Sequence, residues 1–570
     1  MTETTEAERD VAPAPGNAST GTSGTRATLL RRAPLWALIA VPVLLGLAEA
    51  IRSPRLNFVD YWLVLGNTTN ADGSLNWTEL FSLYHEHPIL VVGIVFWLDA
   101  NLFDGANYPL GIMSVVLAGG ILASLASMLS PRLRGTKRLA VIAALSGIVF
   151  SSAATEYFGL GMMGVQWLLG VAPAVVAIAF AHRGRTVPAI LFAVLGSLGH
   201  GAAFPVWIAL PVVAWLRRDQ RWRVLLPLAL GVCVFVVWQL APWPESYPKS
   251  GIVGLDTHVG AMFTTLGQVW SFSSVDLALF AGAVTVGVLA MLAVGAVRQR
   301  LAPADGPAAQ LRAEDAGWFG VVTQVLFMAA MIGASRGGVA NTEGLAPRYC
   351  AVALLGVAAL TVLLINRGPR VLFEKAIAFA LVVALATYAI GSTSATATRE
   401  KYPVQPVLGV AMQVGANSVV SKEFGYPEFL ERYRTLGVYP FTDDFTLGCD
   451  GGPELGGRVD LAATEELPAP APNRQTAGVV EKSPVVGDTE IRGWALIEGA
   501  QADCVLITDQ AGTVVGGGAV GLPRLDVTLV VNGTGRSGWA AVAAPGTTDG
   551  VVLVQGKGKL YRVASKLPEG

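Results

Sequence analysis

PILVVGIVFWLDANLF, residues 88–103, decides how the whole chain is threaded. The run is sixteen residues long, carries Asp99 and Asn101, and is closed by Asp104-Gly105. A spanning helix needs about 20 predominantly apolar residues, so a run this short with an internal acid predicts a helix lying in the membrane interface. Counted as a span, it would carry Arg132, Arg134, Lys137 and Arg138 to the exterior and invert every later loop. Left out, it sends Arg31-Arg32, 132–138, Arg183 with Arg185, 217–223, Arg298 with Arg300, and Arg367 with Arg370 to the cytoplasmic side. That is the distribution the positive-inside rule demands.

The composition agrees with a membrane reading. Of 570 residues, 53% are hydrophobic and 14% charged, more apolar surface than a water-soluble core would hide. The net charge of -1 conceals short basic clusters between apolar runs, a pattern of orientation signals that gives no reason to expect nucleic-acid binding. About eleven spans are predicted, near 34–51, 108–129, 138–153, 162–181, 187–199, 203–216, 223–243, 276–297, 316–335, 349–366 and 373–392. Residues 1–33 read as a disordered cytoplasmic tail before a retained signal anchor.

Polar character takes over at about 393. Residues 393–478 are expected to form an extracytoplasmic connecting region, with an amphipathic helix within 424–445 and a Pro/Ala/Glu-rich linker at 464–478. From 479 to 570, short alternating stretches such as TEIRGWALI and GVVLVQG between Gly, Asp and Asn turns predict a β-sandwich. Cys233 and Cys350 fall in apolar runs and read as packing residues, whereas Cys449 and Cys504 are free to pair if this part is exported.

The threading gathers few ionisable groups on the exterior side. Asp60 follows the first span and is either a cap paired with Arg52 or Arg55, or a general base or divalent-ion ligand. His85-Glu86-His87-Pro88 precedes the interfacial run, and is either a solvated helix start or a polar cluster above the membrane. In an extended chain His85 and His87 would share a face with Glu86 opposed. Among the exterior cations Arg52, Arg55, Lys249, Arg336 and Arg348, the last two flank one loop at headgroup depth. They either snorkel or hold a lipid phosphate. His200 and Glu156 are isolated, each readable as packing or pocket residue. Trp494 and Trp539 are either core residues or stacking platforms for a glycan.

Asp60, His87-Pro88 leading into helix 88–103, Phe103-Asp104-Gly105, and Arg348-Tyr349 together resemble the GT-C superfamily of membrane glycosyltransferases, which includes protein O-mannosyltransferases and the aminoarabinose transferase of lipid A. The resemblance covers residues 34–392, and the inserted Asp104 departs from the Phe-Gly ending of that group. It implies inverting transfer of a sugar from a polyprenyl phosphate to a cell-envelope glycan or glycolipid. Asp60 would be the base, Glu86 or His85 a helper, and Arg336, Arg348 and Tyr349 the donor-phosphate site. His87, Glu156, His200, Trp494 and Trp539 would contact substrate, with Mg or Mn as a conceivable cofactor at Asp60. A multi-pass protein of the cell membrane, N-terminus inside, follows from the threading. Other classes compatible with the same sequence are a lipid transporter or flippase and a non-catalytic glycan-binding scaffold.

Overall fold

The computed structural model describes residues 21–241, 254–302, 307–336, 344–423, 425–481, 485–529, 531 and 533–564. The expected exterior cation Lys249 and most of the loop after Arg336 lie outside the described residues, as do residues 1–20. The chain is mostly helical. Among the described residues nine helices are long and apolar enough to cross a membrane, and a β-sheet region forms the C-terminal part. An apolar run buried in lipid must satisfy its backbone internally, which a helix does within its own segment.

Two expected spans are corrected. Thr186–Gly199 and Val206–Arg217 are helices of only 14 and 12 residues. At 1.5 Å per residue they rise only about 20 Å. Their connecting turn ends inside the bundle, where Gln324 Nε2, in the middle of helix Pro307–Arg336, donates to Ala202 O at 2.7 Å.

The basic clusters collect at one end of the bundle. Arg132 pairs with Glu314 at 3.4 Å, Arg367 with Asp315 at 2.7 Å, and Lys137 with Glu374 at 3.0 Å. Arg217 donates to the His182 carbonyl, and Arg300 Nε donates to Trp215 O at 2.6 Å. Consecutive helices therefore alternate in direction, as the sequence threading expects.

Residues 90–102 form a helix of 13 residues, and its segment returns to the end it left. Asn107 makes the closure. Its backbone N–H donates to Arg55 O at 2.8 Å, and its side-chain amide donates to Ser53 Oγ and Gly159 O, both at 2.8 Å. The helix packs one face on Asp60–Thr68, with the Tyr61 and Phe96 rings 4.9 Å apart, and Tyr61 Oη donating to Asp99 at 3.0 Å. Its other face leaves Leu98 and Leu102 exposed. A buried face opposite an apolar exposed one suits a helix at a lipid boundary.

Several boundaries shift. The first helix runs Gly21–Arg52, so it begins well before 34. The helix Phe373–Arg399 continues past 393 before Gln405–Val414 starts the connecting region. Within 424–445 the helical part is Leu430–Leu436, preceded by the turn Pro427–Phe429.

The expected sandwich is one continuous, mainly antiparallel sheet rolled on itself. The expected linker takes part in its closure. Strand Glu465–Glu466 pairs parallel with Lys559–Arg562; Leu467 N donates to Arg562 O at 2.8 Å and Gly478 N to Pro468 O at 3.3 Å. At the far edge, Val480 N donates to Ala564 O at 3.1 Å, so the two edges meet and neither is left open to pair with another chain. A disulfide joins Cys449 of the connecting region to Cys504 of the sheet. One hydrophobic cluster runs from Tyr61 and Trp62 through Val407 and Val410 to Val514 and Leu553, so sheet, connecting region and first exterior segment share a core.

Candidate functional site

The segment LYHEHP folds as a two-residue β-hairpin. Tyr84 faces His87 and Leu83 faces Pro88, which leaves His85 and Glu86 as the turn. His85 takes φ 51°, the left-handed conformation that such turns require. The expected alternation of an extended chain is thereby replaced. Glu86 and His87 lie together, with Glu86 Oε1 3.6 Å from His87 Nε2, and His85 lies against Tyr84 with ring centroids 4.3 Å apart.

This hairpin forms one wall of a pocket with about 470 Å³ of empty volume. Asp60, at the start of helix Asp60–Thr68, lines it, together with His85, Glu86 and His87. From the bundle come His200, Arg336, Arg348 and Tyr349. Eight residues singled out from sequence thus converge, although Glu86 and Arg336 stand 250 positions apart.

The contacts divide the pocket into two halves. In one, Arg336 Nη2 holds Glu86 Oε1 at 2.9 Å, and Glu86 Oε2 is buried with no hydrogen-bond partner among the described residues. The His87 ring stacks on His200 at 4.0 Å, and His200 Nδ1 accepts from Ala202 N at 3.1 Å. Glycine permits this packing twice. A Cβ on Gly201 would sit 2.8 Å from His87 Nδ1, and one on Gly170 would sit 2.8 Å from His200 Cβ. Trp167 bridges His200 and Tyr349, at 4.7 and 5.2 Å, and the Arg348 guanidinium lies 5.2 Å from the Tyr349 ring.

In the other half Asp60 stands beside Tyr84 and His85. Neither arginine proposed as its capping partner reaches it. Arg55 pairs with Asp444 at 2.5 Å and stacks on Tyr439, and no ion pair engages Asp60 among the described residues. Burial raises the Tyr84 hydroxyl well above its ordinary range, with the charge of Asp60 the next cause. Burial lowers the His85 imidazole, against the opposing pull of Asp60 and Glu86. His87 is driven down to about 3 by burial first and the charge of Arg336 second, so it is neutral at physiological pH.

Three expected substrate contacts are corrected. Glu156 is 2% exposed, pairs with Lys401 at 3.4 Å, and does not line the pocket. Trp539 is 1% exposed inside the rolled sheet and Trp494 6% exposed beneath helix Leu525–Thr528. Neither offers a ring face to a sugar, and the core reading of both holds. Tyr84, Gln166 and Trp167 line the pocket without having been singled out. A polar side chain inside an apolar run, as Gln166 is, was the available signal.

A second, apolar hollow of about 810 Å³ abuts the pocket, lined by Leu80, Pro88, Phe204, Val237 and Trp238 among others. Trp238 stands between the two, its Nε1 donating to Glu86 O at 2.8 Å. Among the described residues no three His, Cys, Asp or Glu side chains converge as a cation site. No known family matches the chain, and neither a curated protein nor a solved structure matches it.

Proposed function

We propose that the chain is a membrane glycosyltransferase that moves a sugar from a polyprenyl phosphate to the hydroxyl of an extracytoplasmic cell-envelope glycan or glycolipid. The observation that carries this reading is one pocket uniting Asp60, a carboxylate with no ion pair among the described residues, with two guanidiniums, Arg336 and Arg348, beside an apolar hollow.

In this mechanism Asp60 takes the proton of the acceptor hydroxyl as that oxygen forms its bond to the anomeric carbon. The bond from that carbon to the phosphate oxygen breaks on the opposite face, which inverts the centre. A phosphodiester carries one negative charge and the released monoester nearly two, so cations placed beforehand favour the transition state over the ground state. Arg336 and Arg348 fill that role. Glu86 orients Arg336 at 2.9 Å, and the neutral His87 packed on His200 braces Glu86 without competing for the phosphate. The hollow beside Trp238 accommodates the first units of the polyprenyl chain. No step is routed through a metal.

The test is transfer by purified protein from a polyprenyl-phosphate sugar to an acceptor glycan, comparing wild type with Asp60→Asn. Transfer that survives the substitution removes Asp60 as base. Absence of transfer from every such donor, with movement of the lipid across a vesicle bilayer, supports a flippase instead.

A further inference from the structure

A separate cleft, with about 690 Å³ of empty volume, opens between the helices Gly21–Arg52 and Phe373–Arg399. Asn107 binds both Ser53 and Gly159, which places this cleft at the same end of the bundle as the pocket. It shares no lining residue with the pocket.

Its chemistry changes with depth. Leu45, Gly46, Phe150 and Phe158 form an apolar shaft, and Glu49, Arg52 and Arg399 stand at the mouth. Arg399 holds Glu49 through Nε at 3.1 Å to each oxygen and Nη2 at 2.5 Å, and Tyr402 Oη donates to the same carboxylate at 2.9 Å. Glu49 is thereby fully engaged, while Arg399 remains more than half exposed. Arg52 is exposed and makes no hydrogen bond or ion pair among the described residues. One carboxylate against two guanidiniums leaves the mouth with a positive charge. An arginine that merely snorkels needs neither a cleft nor a second cation beside it.

The flanks give the direction of entry. Leu44 and Leu385, on the two helices that form the cleft, are 58% and 71% exposed, so it opens onto the apolar girdle of the bundle. A cationic mouth over an apolar shaft reached from the side is the complement of an anionic lipid.

We propose that this cleft binds a phosphate-bearing anionic amphiphile, with its phosphate between Arg52 and Arg399 and a hydrocarbon chain along Leu45 and Phe150. Occupancy bears on the neighbouring pocket through one short segment. Ser151, Ser152, Thr155 and Phe158 face the cleft, while Tyr157, between them, donates through its hydroxyl to the Arg348 carbonyl. The proposal stands independently of the transferase reading, since it concerns other residues and its test needs no turnover.

The test is binding of phosphatidylglycerol and of phosphatidylcholine to the delipidated full-length chain in detergent, followed by native mass spectrometry. Inorganic phosphate serves as a third arm. Phosphatidylglycerol should bind about tenfold or more tighter than phosphatidylcholine, the equivalent of one charge-assisted hydrogen bond. Arg52→Gln should remove most of that preference. Ser392→Phe, at an exposed cleft-lining position whose hydroxyl bonds to Ala389 O of its own helix, should weaken both lipids by filling the space. Unchanged thermal unfolding of the lipid-free variants shows that they fold. Equal binding of the two lipids by wild type, or Arg52→Gln binding as wild type does, overturns the proposal. Inorganic phosphate displacing phosphatidylglycerol at equal concentration also overturns it, because the apolar shaft would then contribute nothing.

Discussion

The two ends of the helical bundle treat buried charge differently. At the basic end Asp315 uses both oxygens, one on Arg367 at 2.7 Å and one on Asn366 at 2.9 Å, while its neighbour Glu314 accepts from Ser130 through one oxygen and faces Arg132 with the other at 3.4 Å without a hydrogen bond among the described residues. At the pocket end Glu86 spends one oxygen on Arg336 and keeps the other buried with no partner among the described residues, and His87 Nδ1 is in the same condition. Leaving buried polar groups unmatched costs roughly 1–3 kcal/mol each. Asp315, with both oxygens matched, ties helices together, whereas Glu86 keeps an oxygen to spare beside the proposed phosphate site.

The sharpest way to break this contrast is to remove one charge at each end. Asp60→Asn should lower transfer by about 10²–10⁴-fold and leave the thermal midpoint in detergent unchanged. Arg367→Met should do the reverse. It leaves Asp315 buried without its cation, a loss of about 3–5 kcal/mol in stability, while turnover per folded molecule is retained. If Arg367→Met abolishes transfer in folded protein, the division between the ends fails.

Smaller effects sharpen the picture. Glu86→Gln keeps the shape but removes the charge that orients Arg336, and should lower kcat/KM by about 10-fold to 100-fold with little change in stability. Asp99 gives a change that shows only as pH is varied. Burial raises its carboxyl to about 8, so the folded chain holds a proton there that the unfolded chain releases near pH 4. Stability should therefore fall as pH rises from about 4 to about 8 and level off above that. Asp99→Asn, which keeps a neutral group beside Tyr61, should flatten that slope in thermal unfolding measured across the same range.

Much of the threading was legible because the signals were one-dimensional. Basic clusters and apolar run lengths fix the direction of each helix, and direction alone puts residues 60, 85–87, 336 and 348 at one end. Lengths misled where the run is short but the sequence around it is apolar, as at Thr186–Gly199, whose depth depends on what it packs against. The local conformation of LYHEHP was not legible either. No Gly, Asn or Asp in the run names a turn, and positive φ falls on His85, a conformation uncommon for residues other than glycine even though His tolerates it better than most. Trp494 and Trp539 show the limit of reading sheet residues for function. Period-two alternation marks both faces of a strand, and in a rolled sheet one face is the interior and the other lies under a helix.

The separation of 250 residues between Glu86 and Arg336 also has a meaning in time. At about 5–20 residues per second, synthesis takes roughly 10–50 s to supply the arginine after the glutamate has emerged. Throughout that interval the hairpin exists without the cation it faces. The helix Leu90–Leu102, apolar on its open side and clasped at its end by the neighbours of Asn107, gives the early segment a place to wait at the bilayer surface. The pocket thus waits for the second half of the bundle, and a chain truncated before residue 336 would hold every carboxylate of the site and neither of its two guanidiniums.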